Sequence, residues 1–227
     1  MSLRVVALAD THLFTDDFVP DAEGRVIPDG DVLVHAGDAL RGGSLGELMR
    51  FAVFFRAQPH RVKIFVPGNH DRVFEEDPMT ARAILGADTI VLIDEEVVVD
   101  GVRFFGSPWT PTFFDWSFMR DPGPDMEACV ARVPHNAHVL ISHGPPRGCL
   151  DGSVDHPLGC EALRARVEET RPLLHVFGHI HGARGVVAGE FTTFANVTTA
   201  ECEHPPMVFD VDVKSRRVVV VDASGIA

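Results

Sequence analysis

Several features that mark other classes of protein are missing from this chain of 227 residues. It has no uninterrupted run of eighteen apolar residues, and its first ten residues lack a basic start followed by a long apolar segment. We therefore expect neither a membrane span nor a secretory signal. Its four cysteines show no close CxxC spacing, so reduced thiols and a cytoplasmic location are predicted.

Positive charge is also scarce. The chain has 20 Lys and Arg residues against 33 Asp and Glu residues, which gives a formal net charge of −13. A protein that follows a nucleic-acid backbone depends on Lys and Arg for its affinity, so this balance argues against nucleic acid as a partner. Bound divalent cations would neutralise part of the negative charge.

What the chain does contain is a series of short apolar runs, which predict buried strands. They alternate with helical patterns at first, and hairpin signals such as Asp100-Gly101 follow. We expect an α/β fold of two packed sheets flanked by helices, as one domain over residues 1–227. The helices are expected at residues 44–57, 77–87, 126–132 and 159–170. Ser44 would cap the first helix, whose predicted buried face is Leu45, Leu48, Met49, Ala52 and Phe55.

Polar side chains follow five of the apolar runs at the point where each predicted strand ends. Open α/β sheets place their ligands at the carboxyl ends of strands, because helices cover the sheet faces. The run at residues 64–66 is stopped by Pro67-Gly68, and an amide, an imidazole and a carboxylate follow directly. If the strands share sheets, the five ends converge on one rim and bring together Asp10, His12, Asp38, Asn69, His70, His143, His179 and His181.

Taken singly, each of these residues has an ordinary explanation. An Asp after Gly is usually a turn or helix-cap residue, and a His after a strand is usually a hydrogen-bonded core or loop residue. We assign the remaining histidines to that structural class: His35, His60, His135, His138, His156, His175 and His204. Five apolar runs that all end in donors, most beside glycine, are instead typical of a ligand site, because glycine lets backbones approach closely.

The donors are carboxylates, imidazoles and one carboxamide, with no thiolate, which suits Mn, Fe or Zn. Seven such donors exceed what one tetrahedral ion takes, and they fit two ions with a shared carboxylate. Two ions about 3.5–4 Å apart form the recognised clamp for in-line displacement at phosphorus. His70 directly follows a predicted ligand and is left free for acid–base work.

Five motifs occur in a fixed order along the chain. They are Asp10-x-His12, Gly37-Asp38, Gly68-Asn69-His70-Asp71, the strand-end His143, and Gly178-His179-x-His181. In this order they resemble the calcineurin-like metallophosphoesterases, and the resemblance spans essentially the whole chain. It is closer still to a small single-domain branch, the metallophosphoesterase-domain-containing proteins, on the evidence of residues 28–38, 106–111, 143–146, 175–181 and 205–210.

The resemblance implies a four-layer αββα sandwich of two mixed sheets, with a site for two divalent metal ions at the sheet rim. The implied ligands are Asp10, His12 and His181 for the first ion, Asn69, His143 and His179 for the second, and Asp38 for both. His70 would protonate the leaving oxygen or stabilise the phosphorane charge, and Asp71 would orient it. The nucleophile would be a metal-bridging hydroxide, available near neutral pH because the ions lower the pKa of water.

The chain departs from the family's commoner protein-phosphatase pattern just after the bridging Asp. That pattern has an Asp and an Arg there, whereas this chain lacks the Asp and has Arg41 at a different offset. Arg41 is a candidate substrate-binding residue, with a solvated loop arginine as the alternative. Trp109 is a candidate for stacking on a nucleobase, with ordinary packing as the alternative.

These observations predict a metal-dependent phosphoric ester hydrolase, and a phosphodiesterase is favoured over a phosphomonoesterase. The substrate would be a small phosphodiester such as a cyclic nucleotide, because the chain shows no cap insertion or basic groove for long nucleic acid. The alternative is a nucleotide-binding or scaffold protein of the same fold with negligible turnover. No membrane partner is expected, Mn²⁺ is the first ion for reconstitution, and the sequence indicates no oligomeric state.

Overall fold

A computed structural model of the protein describes residues 2–20, 24–153 and 155–222. No helix in these ranges is long and apolar enough to cross a membrane. The strands are β1 (Leu3–Leu8), β2 (Val32–His35), β3 (Val62–Phe65), β4 (Thr89–Val91), β5 (Glu95–Val99), β6 (Val102–Ser107), β7 (Thr110–Pro111), β8 (Met119–Arg120), β9 (Val139–Ser142), β10 (Gly152–Ser153), β11 (His156–Pro157), β12 (Leu174–Phe177), β13 (Gly185–Ala188), β14 (Thr193–Asn196), β15 (Met207–Asp212) and β16 (Arg217–Asp222). The helices are α1 (Leu45–Ala57), α2 (Val73–Glu76), α3 (Pro78–Leu85), α4 (Pro124–Val130) and α5 (Glu161–Thr170), with 3₁₀ turns at Thr15–Asp17 and His181–Ala183.

Two six-stranded mixed sheets form the centre of the fold. The first has the strand order β16-β15-β1-β2-β3-β4, in which β1 to β4 are parallel and the two C-terminal strands are antiparallel to their neighbours. The second has the order β13-β14-β12-β9-β6-β5, with four parallel central strands and an antiparallel strand at each edge. Within each sheet, the carboxyl ends of the parallel strands therefore lie along one edge.

The fold has four layers, and an apolar core lies between each layer and the next. The first lies between the sheets, where alternate residues of the two inner faces are fully buried, among them Val5, Val34, Ile64, Phe104 and Ile141. The second packs α1 and α3 on the outer face of the first sheet, and the third packs α4 and α5 on the outer face of the second. Because each strand alternates its side chains between two faces, one strand supplies residues to two cores. The expected αββα sandwich is confirmed.

Helix α1 shows both what the sequence predicted and where it was wrong. Ser44 caps it as expected, and the reciprocal contact of Glu47 completes a capping box. Its buried residues are Leu48, Phe51, Ala52 and Phe55. Leu45 and Met49 are exposed, so the predicted face was partly wrong: it included these two residues and omitted Phe51. The helix is apolar over more than half its circumference, and the stripe that is buried depends on how the helix lies on the sheet.

The hairpin signal at Asp100-Gly101 is confirmed, since β5 and β6 pair antiparallel across that turn. Both turn residues have positive φ, 48° for Asp100 and 82° for Gly101, as a two-residue turn of this hand requires. The short helix α2 was not predicted. It directly follows the third strand-end motif and has no periodic apolar pattern long enough to recognise.

Candidate metal centre

The loops that follow five strands meet at one rim of the sandwich. In the first sheet they follow β1, β2 and β3, and in the second they follow β9 and β12. The Asp10 N–H donates to Gly37 O at 2.9 Å, which joins the first two loops. A parallel bridge between Ala9 and Thr198 joins the first sheet to the loop after β14 in the second. The convergence expected from the sequence is therefore present.

Two groups of three side chains at this rim could each hold a metal ion, because their donor atoms all lie within 4.8 Å of one another. The groups are Asp10, His12 and His181, and Asp38, His143 and His179. A third group, His12, Asp38 and His70, overlaps both the first and the second. The remaining predicted ligand, Asn69, adjoins the second group, since its Oδ1 lies 2.8 Å from His143 Nε2.

Asp38 belongs to the second group and also faces the first. Its Oδ1 is 3.3 Å from His143 Nε2, and its Oδ2 is 3.8 Å from His12 Nε2. The same Oδ1 accepts the backbone N–H of His70 at 2.8 Å, which fixes the orientation of the carboxylate. One oxygen toward each group is the arrangement that a bridging ligand requires.

Backbone carbonyls set the ring orientation of two histidines. His12 Nδ1 lies 2.9 Å from Leu40 O, and His143 Nδ1 lies 3.0 Å from Ala36 O. A carbonyl can only accept, so each Nδ1 carries a proton and each Nε2 faces the other predicted ligands, where a bound cation would take the place of any proton on it. This is the arrangement that metal-binding histidines adopt. The donor set thus fits two divalent ions in both chemistry and orientation.

Two glycines make room for these donors. A Cβ on Gly68 would lie 2.3 Å from Asp38 Oδ1, and a Cβ on Gly37 would lie 2.4 Å from His143 Nδ1. Gly37 also has φ of +100°, which L side chains rarely adopt. Any larger residue at either position would displace a predicted ligand.

Four predicted ligands have left-handed backbone conformations. The φ values are 58° for Asp10, 44° for His12, 56° for Asp38 and 69° for His179. Non-glycine residues in this region cost on the order of 1–3 kcal/mol each and persist where the surrounding structure holds them. Such outliers cluster at functional sites, and here they turn successive side chains toward the rim.

The contacts of the Asp71 side chain differ from those expected. It was predicted to orient His70, but its fully buried carboxylate accepts the backbone N–H groups of Asp38, Leu40 and Gly68 at 2.9, 3.0 and 2.8 Å. Burial and the nearby charge of Asp38 raise the pKa of Asp71 to about 7, although the backbone donors oppose this. Asp71 thus ties together the loops that carry Asp38 and Asn69.

His70 lies at the open side of the centre and is half-buried. Its Nδ1 lies 2.5 Å from Arg41 O, so a backbone carbonyl holds the ring. Its ring centroid is 4.7 Å from that of His12 and 4.1 Å from that of Trp116. The Nε2 atom of His70 is left for contact with a ligand.

Neighbouring side chains at the centre shift one another's pKa values. Burial alone would lower the pKa of His143, but the Asp38 carboxylate outweighs it and raises that pKa to about 9. Burial alone would raise the pKa of Asp38, but the charge of His143 and the contact with it lower that pKa. Burial and His143 lower the pKa of His179 to about 4. A buried carboxylate thus holds positive charge beside it, as a cation site does.

A cleft of about 550 Å³ opens above the two groups. It is lined by His12, Phe14, Asp38, Arg41, Asn69, His70, Phe113, Trp116, His179, His181 and Glu201. The candidate substrate-binding residue Arg41 is among them. Its Nε donates to His12 O at 3.1 Å, and its guanidinium lies 3.9 Å from the ring centroid of Phe14.

Sequence reasoning missed the cleft residues Phe14, Phe113, Trp116 and Glu201, which stand in segments without periodicity. Of the alternatives for Trp109, the structure favours packing. Its Nε1 donates to Asp94 Oδ2 at 2.7 Å, and its ring packs against Phe118 and Arg120. Two histidines assigned to the structural class, His35 and His175, are fully buried and bonded to Thr11 and Ser142, respectively.

Known proteins supply the context for this geometry. Residues 3–183 match the sequence profile of the calcineurin-like phosphoesterases. The chain belongs to this family. It is 35% identical to the UPF0046 protein K07C11.7 of Caenorhabditis elegans, over 94% of this chain and 77% of that protein. It is 33% identical to the human metallophosphoesterase domain-containing protein 1, over 92% of this chain and 71% of that protein. The resemblance inferred from the motifs is confirmed.

Solved structures agree on the fold. The structure of TT1561 from Thermus thermophilus superimposes with a TM-score of 0.67 over 98% of this chain and 100% of that chain, at 10% sequence identity. A second crystal structure gives the same TM-score of 0.67 at 18% identity, over 99% of this chain and 100% of that chain. At these identities the likeness extends to the fold alone.

Proposed function

We propose that the protein is a dimetal-dependent phosphoesterase that hydrolyses small phosphodiesters such as cyclic nucleotides. One observation carries the proposal: two groups of metal-binding donors adjoin each other at the sheet rim, with the two oxygens of Asp38 directed one to each. Two ions held by a common carboxylate form the usual clamp for displacement at phosphorus. The family to which the chain belongs supports the same chemistry.

The residues that would hold the ions are those assigned from the motifs. They are Asp10, His12 and His181 for one ion, Asn69, His143 and His179 for the other, and Asp38 for both. When bound, divalent cations supply Lewis acidity, which lowers the pKa of water and offsets the negative charge of a phosphate. Mn²⁺, Fe²⁺ and Zn²⁺ all accept these donors, and Mn²⁺ is the ion we would use first.

The chain's own residues supply the remaining functions. With Nδ1–H directed at Arg41 O, a protonated His70 presents Nε2–H to the leaving oxygen and can protonate it as the bond to phosphorus breaks. Arg41 is held by His12 O and by the ring of Phe14, so its terminal nitrogens can donate to a phosphate oxygen. Both side chains line the cleft.

The charge of the cleft favours a diester over a monoester. Arg41 is the one Lys or Arg among the described residues that line it, and Glu201 adds a carboxylate. A monoester dianion needs more positive charge than a diester monoanion, whereas Phe14, Phe113 and Trp116 suit the second organic group of a diester. The partner would thus be a small phosphoester, with no nucleic-acid polymer and no membrane, in a cytoplasmic enzyme.

The test combines elemental analysis with hydrolysis assays on the same sample after reconstitution with Mn²⁺. The substrates are bis(p-nitrophenyl) phosphate, a 2′,3′-cyclic nucleotide and, for the monoester, p-nitrophenyl phosphate. We expect two ions per chain and faster turnover of the diesters, and we expect Asp38→Ala to lose metal and activity together. Two ions without turnover of any ester would favour the nucleotide-binding alternative, and no metal after reconstitution would overturn both.

A further inference from the structure

One loop beside the cleft carries three aromatic side chains. We call residues 112–117 the aromatic loop. Its ends are held together, because Thr110 N–H donates to Phe118 O at 2.9 Å and Thr112 N–H donates to Arg120 O at 3.0 Å. Phe118 is buried, and its N–H donates to Glu75 Oε2 at 2.8 Å. The loop is therefore fixed at its base.

The aromatic side chains of this loop are exposed. Phe113 is 62% accessible to solvent, Phe114 is 76% accessible and Trp116 is 42% accessible. Phe113 and Trp116 line the cleft above the candidate metal centre, whereas Phe114 is not among its lining residues. Contiguous apolar surface that a protein leaves exposed usually marks a binding site, and here it continues a cleft.

Trp116 also lies beside the proposed proton donor. The ring centroids of Trp116 and His70 are 4.1 Å apart, and the ring planes are inclined by 41°. If His70 protonates the leaving oxygen, the organic group bonded to that oxygen must lie next to Trp116. Ser117 N–H donates to Asn69 O at 3.3 Å, which ties the end of the loop to a predicted metal ligand. These contacts connect the aromatic loop directly to His70 and Asn69.

We propose that Phe113 and Trp116 form a stacking subsite for a planar aromatic group of the substrate. The preferred class is then a phosphoester that carries a nucleobase or an aryl ring, in preference to one with only alkyl or sugar groups. The proposal rests on the proposed function. Aromatic side chains stack on bases with about 1–3 kcal/mol per base, which is enough to decide between such substrates.

A binding experiment tests the subsite without catalysis. The chain has two tryptophans and no tyrosine, so in Trp109→Phe the indole fluorescence reports on Trp116 alone. The Zn²⁺-loaded variant is titrated with adenosine monophosphate, phenyl phosphate and ribose 5-phosphate. We expect both aromatic ligands to quench the fluorescence and the sugar phosphate to leave it unchanged. The relative affinities of adenosine monophosphate and phenyl phosphate then distinguish a nucleobase site from an aryl site. Equal responses to all three ligands would overturn the proposal.

A kinetic experiment uses two esters that differ only in the base. They are 2′,3′-cyclic AMP and 1-O-methylribose 2′,3′-cyclic phosphate, which share the same reacting bond. We expect Trp116→Ala to lower kcat/KM for the base-containing ester by about 5- to 150-fold and to leave the base-free ester unchanged. Trp116→Phe should restore most of the loss, and Phe114→Ala, in the same loop but outside the cleft lining, is the matched control.

The two experiments separate the possible failures. Equal loss on both esters in Trp116→Ala would mean that the ring only positions His70, and no loss on either would mean that it contributes nothing; both results overturn the subsite. If the unaltered protein hydrolyses neither ester, the proposed function fails instead, and the fluorescence titration still decides whether an aromatic group binds Trp116.

Discussion

The carboxylate of Asp71 accepts the backbone N–H of Asp38 at 2.9 Å, although 33 residues separate them in the chain. It also accepts the N–H of Gly68 at 2.8 Å and that of Leu40 at 3.0 Å. Asp71 therefore holds the loop after β2 against the loop after β3. These two loops carry the shared carboxylate and the carboxamide of the candidate centre, so their separation sets the geometry of the site.

Replacing Asp71 with Asn should weaken both folding and metal binding. One carboxylate oxygen becomes an NH₂ group, which cannot accept a backbone N–H and leaves a buried donor unpaired. We expect the free energy of unfolding of the metal-free protein to fall by about 1–3 kcal/mol. Urea denaturation and titration with Mn²⁺ would measure the two effects. Unchanged stability and metal affinity with a lower kcat would instead support the role in orienting His70.

Removing the His70 imidazole should leave the metals in place and slow the reaction. General acid–base help is worth about 10²–10⁴-fold, so we expect His70→Ala to lose that much in kcat on a nucleoside ester. The loss should be smaller with a p-nitrophenyl ester, because nitrophenolate leaves without protonation. His135→Ala, which removes an exposed histidine that is not among the cleft-lining residues, is the control. A metal content below two per chain in His70→Ala would mean that His70 is a ligand.

A methyl group added at Gly68 should disrupt the centre, although it adds no charge. Its Cβ would lie 2.3 Å from Asp38 Oδ1 and 2.6 Å from His143 Cε1, so both side chains would have to move. We expect Gly68→Ala to lose most of its metal in elemental analysis. Gly46→Ala is the matched control, because nothing lies within 4 Å of its Cβ in helix α1 and alanine favours helix. Equal metal content in the two variants would contradict the close packing described.

The buried His175 should make the protein less stable in acid. Ser142 Oγ lies 2.7 Å from Gly144 O and donates to it, so His175 Nε2 donates to Ser142 Oγ. Burial lowers the pKa of His175 from 6.5 to about 3, so the unfolded chain binds a proton below pH 6.5 that the folded protein does not. Stability is therefore lost as the pH falls from 6.5 toward 3.

The measurement is urea denaturation of metal-free protein at several pH values, with His175→Gln as the comparison. Gln can keep the donor to Ser142 but does not titrate. Since each pH unit below 6.5 costs about 1.4 kcal/mol, the unaltered protein should lose about 2 kcal/mol more than the variant between pH 7 and pH 5. Parallel curves would show that the folded protein protonates His175 as readily as the unfolded chain does.

Much of the candidate site could be predicted because its residues stand at strand ends. A strand such as Leu3–Leu8 is an apolar run, and the donors that follow it need only parallel neighbours to converge. Asp71 is different, because its predicted role came from its place beside His70 in sequence. Its side chain instead satisfies N–H groups of a loop 31 to 33 residues earlier, which only the folded backbone brings near.

The two tryptophans show the same limit of prediction from sequence. Trp109 was the candidate for stacking, yet Asp94 and Arg120 pack it into the fold, and Trp116 lines the cleft. Both residues stand in irregular segments, where no repeat of apolar positions indicates which side chain is covered. Which of them is exposed follows from the buried Phe118, whose contacts fix the direction of the aromatic loop.

The origin of the donors in two separate sheets has a mechanical consequence. Four of the seven predicted ligands follow strands of the first sheet, and the other three, His143, His179 and His181, follow strands of the second. Ions bound between them would act as a clasp that holds the two halves of the sandwich at a set distance along this rim. Any substitution in the central core that lets one sheet slide on the other would then reduce metal affinity, even far from every donor atom.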